Sequence, residues 1–301
     1  MKLFAPKYYE KFSCIKGQCK NSCCVGWEIE VDGDTLDKYT HLPSPQREAI
    51  VGNIEVDDGR AVISTDSEGR CPFLTECGLC EIISTLGEEY ISEICKRHPR
   101  FYNFLSDRCE VGLGASCEAA VRLILSSDEY GELIPVGDIM AEGEALSDFA
   151  IGEREKIFSI LSKADLGYEQ KMSALFTEYG LSRELIFGSY NSVFSELEFL
   201  SEDSRGILTL GNSIPKASHP YLIRFLAYLI YRHIPASLSY DNMRARIGFA
   251  ILLTEIMGSA AADSEEVSVD LLADIAAKIS EEIEYSEDNT EAIIFEIESV
   301  I

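Results

Sequence analysis

Ten cysteines stand at positions 14, 19, 23, 24, 71, 77, 80, 95, 109 and 117, and none follows Cys117 in a chain of 301 residues. Thiolates ligate zinc and iron–sulfur centres, act as nucleophiles, or join as disulfides. Cysteine used only as a small core residue would be scattered along the chain. Here four are bunched as Cys14-x4-Cys19-x3-Cys23-Cys24. The N-terminal third therefore reads as a metal or iron–sulfur module.

A disulfide framework is the main competitor, and it suits small secreted domains that lack a sufficient core. With 301 residues and 46% hydrophobic content, this chain can bury a large core without staples. Its opening, MKLFAPKYYEKFSC, lacks the apolar run of a secretory signal. The best apolar stretch, Ile247 to Leu253, is far shorter than the roughly 18–20 residues of a membrane span. The expectation is a cytoplasmic protein with no membrane partner, in a reducing compartment that favours metal over disulfides.

The net charge of -26 argues against nucleic acid, whose phosphates need a basic surface. Residues 263–301 hold thirteen Asp or Glu against Lys278 alone, whereas residues 1–25 hold five Lys and only Glu10. Lys96, Arg97 and Arg100 follow Cys95. Positive charge among the cysteines stabilises thiolates and offsets a thiolate-ligated cluster, so Arg97 and Arg100 are candidates for cofactor binding. The acidic remainder serves solubility or attracts a lysine-bearing protein.

These residues must be positioned by two regions, a cysteine-rich module over 1–125 and an all-α domain over 126–301. Leu222, Phe225, Leu226, Leu229 and Ile230 recur at helical spacing, as do Ile247, Ile251, Leu252 and Ile256. Further helices are expected over 153–163, 170–179, 183–200, 269–283 and 291–301. Trp27, Ile29 and Val31 alternate with glutamates, and Ala61–Ile63 follow the turn-like Asp57-Asp58-Gly59, which predicts a small β hairpin. The fold class is mainly α, a C-terminal helical bundle with that N-terminal module.

Two cysteines sit at predicted helix ends. Leu86, Tyr90, Ile91, Ile94 and Cys95 fit one helical face closed by Pro99, and Ser116 would cap a helix with Cys117 at its first position, where the dipole favours a thiolate. The adjacent Cys23 and Cys24 point apart in extended chain, so they serve different centres, or one alone ligates, unless a tight turn brings them together. Counting Cys14, Cys19, Cys23, Cys24, Cys71, Cys80, Cys95 and Cys117, two four-cysteine sites are possible, as is one four-iron cluster with structural thiols around it; spacing does not choose between zinc and iron.

YYEKFSCIKGQCKNSCCVGWEIEVD, then CPFLTECGLCEIISTLGEEYISEICKRHPRFYN, then Ser116-Cys117 ahead of a helix closely resemble the flagellin lysine-N-methylase (FliB) family and the related cysteine-cluster proteins described as zinc or iron chelators. The resemblance covers roughly residues 8–125. It implies methyl transfer from S-adenosylmethionine to lysine amines of flagellin, with an iron–sulfur (4Fe-4S) cluster. The family pattern falls on those same eight cysteines. Cys77 and Cys109 look like additions, and Ser116-Cys117-Glu118-Ala119 lacks the proline of the family's SCPE-like segment.

Lysine methylation asks for a sulfonium methyl aligned with a deprotonated amine. Tyr90, His98, Tyr102 and Glu118 are the catalytic candidates, being near cysteines in sequence, and His98 is alternatively a ligand. His41, His219 and His233 are isolated. Neither a glycine-rich nucleoside fingerprint nor a C-x3-C-x2-C triplet occurs, since the third position after Cys19 and Cys23 is Gly26. Three classes follow: a protein lysine N-methyltransferase; a non-catalytic zinc or iron–sulfur protein with a structural or electron-transfer centre; and an interaction module folded by zinc.

Overall fold

The computed structural model describes residues 1–57, 59–140, 146, 149–211, 213–262 and 264–301. Its strands are β1 (Lys2–Pro6), β2 (Ile29–Glu30), β3 (Ile54–Asp57), β4 (Arg60–Ile63), β5 (Arg100–Phe104), β6 (Cys109–Leu113) and β7 (Leu133–Asp138). Its helices are α1 (Gly33–Thr40), α2 (Gln46–Val51), α3 (Glu81–Leu86), α4 (Glu93–Arg97), α5 (Glu118–Ser126), α6 (Phe149–Leu161), α7 (Tyr168–Tyr179), α8 (Arg183–Val193), α9 (Glu202–Ile207), α10 (His219–His233), α11 (Tyr240–Ala260), α12 (Val269–Ile279) and α13 (Glu287–Ser299). The protein is mainly helical with two small sheets.

The chain folds as two compact units, one made of Met1–Phe12 with Arg100–Ile301, the other of Ser13–Pro99. Their boundaries lie elsewhere than the expected cut at residue 125. The reason is strand pairing: β1 runs parallel to β6 and antiparallel to β7, giving the sheet order β5-β6-β1-β7. Hydrogen bonds thus tie the first residues to β6 and β7. Sequence patterning did not reveal this sheet, because β6 is buried at every position and shows no alternation.

In the larger unit, α11 is buried from Met243 to Ser259 apart from Arg244, and α10 shows its expected apolar face. Serine side chains begin four of these helices: Ser182, Ser239, Ser268 and Ser286 accept from the backbone N–H of Leu185, Asn242, Leu271 and Asn289 at 3.0–3.2 Å. Each satisfies a donor that the first helical turn leaves unpaired. Helices were expected over all of these regions, although α8 ends at Val193 and a π turn over Ser280–Glu284 follows α12. Buried Glu255 accepts from Tyr168 and Arg183, and buried Glu110 receives two bonds from Arg154 at 2.6 and 2.9 Å.

The smaller unit carries the sheet β2-β4-β3. The predicted hairpin is β3 with β4, joined through Gly59 at φ +85°, and β2 adds on the other side of β4; Asp58 of the expected turn lies outside the described residues. Asp32 caps α1 through Thr35 and also accepts the backbone N–H of Glu93 at 2.9 Å. The single helical face expected over Leu86–Cys95 is broken. Gly87 at φ +109° ends α3, a short 3-10 turn spans Glu88–Tyr90, and α4 begins after Ser92.

Candidate functional site

The smaller unit gathers cysteines on its own core. Ile29, Val31, Tyr39, Ile50, Ile63 and Phe73 pack together with buried Cys71, and half-buried Cys24, Cys80 and Cys95 lie against them. A backbone ladder draws the first two cysteine groups together: Gly26 donates to Gly69, Val25 bridges Arg70, and Cys71 donates to Cys24 at 2.9 Å. Cys80 follows through the Leu74–Cys80 bridge and stands at the start of α3, while Cys95 comes from α4.

These four thiols lie within reach of one another's charge. Burial pushes Cys71 up to about 11 and Cys95 up to about 12, and neighbouring thiolates push both further; Cys80 is raised for the same reasons. Cys24 behaves oppositely. A hydrogen bond from Cys23, with help from Ser22 and Arg70, brings it down to about 7 despite partial burial. Cys23 and Cys24 occupy a turn in which Val25 donates to Ser22, so the vicinal sulfurs meet instead of pointing apart.

Two residues that sequence reasoning missed complete this environment. Tyr39 is fully buried, its hydroxyl has no hydrogen-bond partner, and Cys95, Cys80 and Cys71 all act on it electrostatically. Arg70 donates to the carbonyls of Leu74 and Thr75, both at 2.9 Å, and lends positive charge to Cys24. The sequence held a signal for Arg70, a cation directly before a cysteine. Tyr39 lies far from every cysteine in sequence and had none.

All ten cysteines are free thiols, so the disulfide framework is absent. Among the described residues, no three His, Cys, Asp or Glu side chains converge closely enough to hold a bare metal ion, so the metal module expected from sequence is not shown. The donor set is nonetheless chemically suited to a thiolate-ligated group. Four thiols share one region, two with strongly raised pKa values, beside a buried hydroxyl without a partner. A bound cation or cluster would relieve that strain by stabilising thiolates.

The remaining candidates are dispersed. Cys14 is exposed and accepts the Lys16 N–H at 3.3 Å, Cys19 is half-buried, and Cys23 is exposed beside Cys24. Cys77 is exposed and bonded to Thr75, and Gly17 and Gly78 pack so closely that Cys77 lies against the Cys14–Cys19 loop. Cys117 belongs to the larger unit, where it is itself the cap of α5, one position later than expected; Ser116 keeps its hydroxyl buried without a partner. The loop before it is anchored by the Ala115 N–H donating to Tyr228 at 3.0 Å. Cys109 is buried in β6.

Of the catalytic candidates, Tyr90 packs on the smaller unit's core and half-buried His98 ends α4. Tyr102 lies on β5 stacked on Phe104, and Glu118 is engaged by Arg122 at 2.8 Å. Arg97 pairs with Glu93 at 3.5 Å, and Arg100 donates to Tyr9 at 2.9 Å. Tyr102, Glu118 and Arg100 belong to the larger unit; Tyr90, His98 and Arg97 share the smaller one with the four thiols.

No protein-family model matches the chain, and no solved structure does. Among curated proteins it is 28% identical over 152 residues to the flagellar biosynthetic protein FliU of Salmonella muenchen, covering 47% of this chain and 82% of that one. It is 28% identical over 130 residues to a lysine-N-methylase of Salmonella typhimurium, and equally to one of Salmonella choleraesuis, covering 41% of this chain and 32% of each of those. The chain therefore spans about a third of the lysine-N-methylases it matches, and its distant similarity is to flagellar proteins and protein lysine methylases.

Proposed function

We propose that the protein transfers a methyl group from S-adenosylmethionine to lysine amines of a protein substrate, flagellin by resemblance, and that Cys24, Cys71, Cys80 and Cys95 hold an iron–sulfur cluster. The observation that supports this reading most is the assembly of those four thiols on one core, in a chain whose relatives include named lysine-N-methylases. When bound, the cluster would supply a compact cationic, Lewis-acidic centre.

The chain's own residues would do the rest. A free lysine ammonium has a pKa of about 10.4, so a base must take its proton before the amine attacks the methyl carbon and the sulfonium leaves as a thioether. His98 and Tyr90 are the candidates that share the unit with the thiols, whereas Glu118 is committed to Arg122. Tyr39 would donate its hydroxyl to a ligating sulfur, and Arg70 would balance thiolate charge beside Cys24.

The test is metal and sulfide analysis of anaerobically prepared protein, followed by mass spectrometry of flagellin incubated with S-adenosylmethionine. The expected result is bound iron and sulfide, with a mass gain of one methylene per transferred methyl. Iron without any mass gain would reject catalysis and leave a structural or electron-carrying centre. Zinc in place of iron, or equal rates with and without the cluster, would reject the cluster's role.

A further inference from the structure

The larger unit contains a recess of about 370 Å³, its open mouth included, that none of the residues above uses. Its wall is aromatic, made of Tyr8, Tyr130, Phe158, Tyr228 and Tyr231. Gly131, at φ +77°, lets the loop before β7 lie on the Phe158 ring, since a Cβ there would stand 2.4 Å from Phe158 Cδ2. Glu129 and Glu132 also line the recess.

Two arginines lie close by, and each is matched. Arg224, which also lines the recess, is bonded to Asp128 and to the Leu125 carbonyl; Arg154, whose guanidinium lies over Phe158 and Tyr231, is held by Glu110. The carboxylates of Glu129 and Glu132 therefore set the charge that a ligand meets. An anionic ligand would be repelled, and a purely apolar one would leave the carboxylates without a partner. Aromatic faces within about 6 Å attract ammonium groups and accept the methylene stem of lysine. The chain's own Lys7 shows the preference, its ammonium resting 2.8 Å from Glu129.

We propose that this recess takes a single alkylammonium side chain, lysine or N-methylated lysine, as a recognition site separate from the thiol cluster. That the side chain belongs to a protein substrate rests on the methylase reading; the selectivity for an ammonium does not.

The test is ligand-observed NMR titration of the whole protein with Nα-acetyl-lysine methylamide, its dimethyl-lysine form, the norleucine counterpart that lacks the amine, free lysine, and a lysine-containing flagellin peptide. The lysine amides should bind saturably and the norleucine amide should not. Glu129→Gln with Glu132→Gln, both at exposed positions, should weaken binding at least fivefold with an unchanged melting curve. Lys7→Met should tighten it by freeing Glu129. Equal binding of the norleucine amide, or indifference to these charge changes, would overturn the proposal. Free lysine binding more tightly than the peptide would overturn the protein-substrate part. Binding without methyl transfer would overturn only the catalytic reading.

Discussion

The backbone N–H of Cys71 donates to the carbonyl of Cys24 across 2.9 Å. This bond joins the first cysteine cluster to the second, and it puts a thiol of low pKa beside one raised by burial. The pairing separates ligands from bystanders. Serine at Cys24, Cys71, Cys80 or Cys95 is expected to abolish iron retention and the visible thiolate-to-iron absorption. Serine at Cys109, buried in the larger unit's β6, should leave both intact.

Tyr39 carries a buried hydroxyl without a partner. An unsatisfied buried donor costs about 1–3 kcal/mol, so Tyr39→Phe should leave the metal-free protein as stable as wild type or more so. The same change should hasten cluster loss, because the loaded protein would lose a donor to sulfur. Denaturation of the metal-free form and iron-release kinetics of the loaded form check the two halves.

Gly17 and Gly78 fasten the Cys14–Cys19 loop to the turn bearing Cys77. A Cβ on Gly17 would come within 2.3 Å of the Cys77 carbonyl oxygen, and one on Gly78 within 2.9 Å of the Gly17 Cα. Gly17→Ala should therefore destabilise the smaller unit by about 1–3 kcal/mol, as overpacking does. Hydrogen exchange should show the loss confined to residues 13–99.

Glu110 and Arg154 are both essentially buried and doubly hydrogen-bonded. Arg154→Met would strip a buried carboxylate of its main partner, leaving Arg108, and should cost about 3–5 kcal/mol. Adding Glu110→Met should recover much of that, since neither charge is then stranded. Urea denaturation of the single and double variants measures the difference.

Stability should fall in two steps on acidification, both traceable to the pair His233 and Glu284, whose Nε2 and Oε1 are 2.7 Å apart. Burial holds His233 below its usual pKa, so the unfolded chain binds the extra proton and stability drops as pH falls through about 6.5. Burial alone would raise Glu284, but Arg232 and His233 bring it down to about 2. Its contribution, about 3 kcal/mol, is present above roughly pH 4.3 and is lost as pH falls toward 2. Chemical denaturation at pH values of about 8, 6 and 4 should show a steady decline.

The helices were legible because their patterns are local. The spacing of Leu222, Phe225, Leu226 and Leu229 marks a buried face, and serine caps such as Ser268 mark where helices begin. Residues 86–95 misled because Gly87, read as one more helical position, adopts φ +109° and turns the chain. The sheet joining β1 to β6 was illegible for a different reason. Its strands are far apart in sequence, and those buried on both faces carry no alternation.

By itself the sequence determined that the thiols are confined to the front of the chain, that the remainder is helical, and that the surface is too acidic for nucleic acid, since composition and short-range periodicity follow from residue order alone. Only the tertiary structure decided which cysteines gather, because Cys24, Cys71, Cys80 and Cys95 meet through backbone bridges and a shared apolar core that spacing does not encode. It also decided the partners of those thiols. Tyr39 and Arg70 act on them through burial and charge, which depend on distance in space rather than distance along the chain.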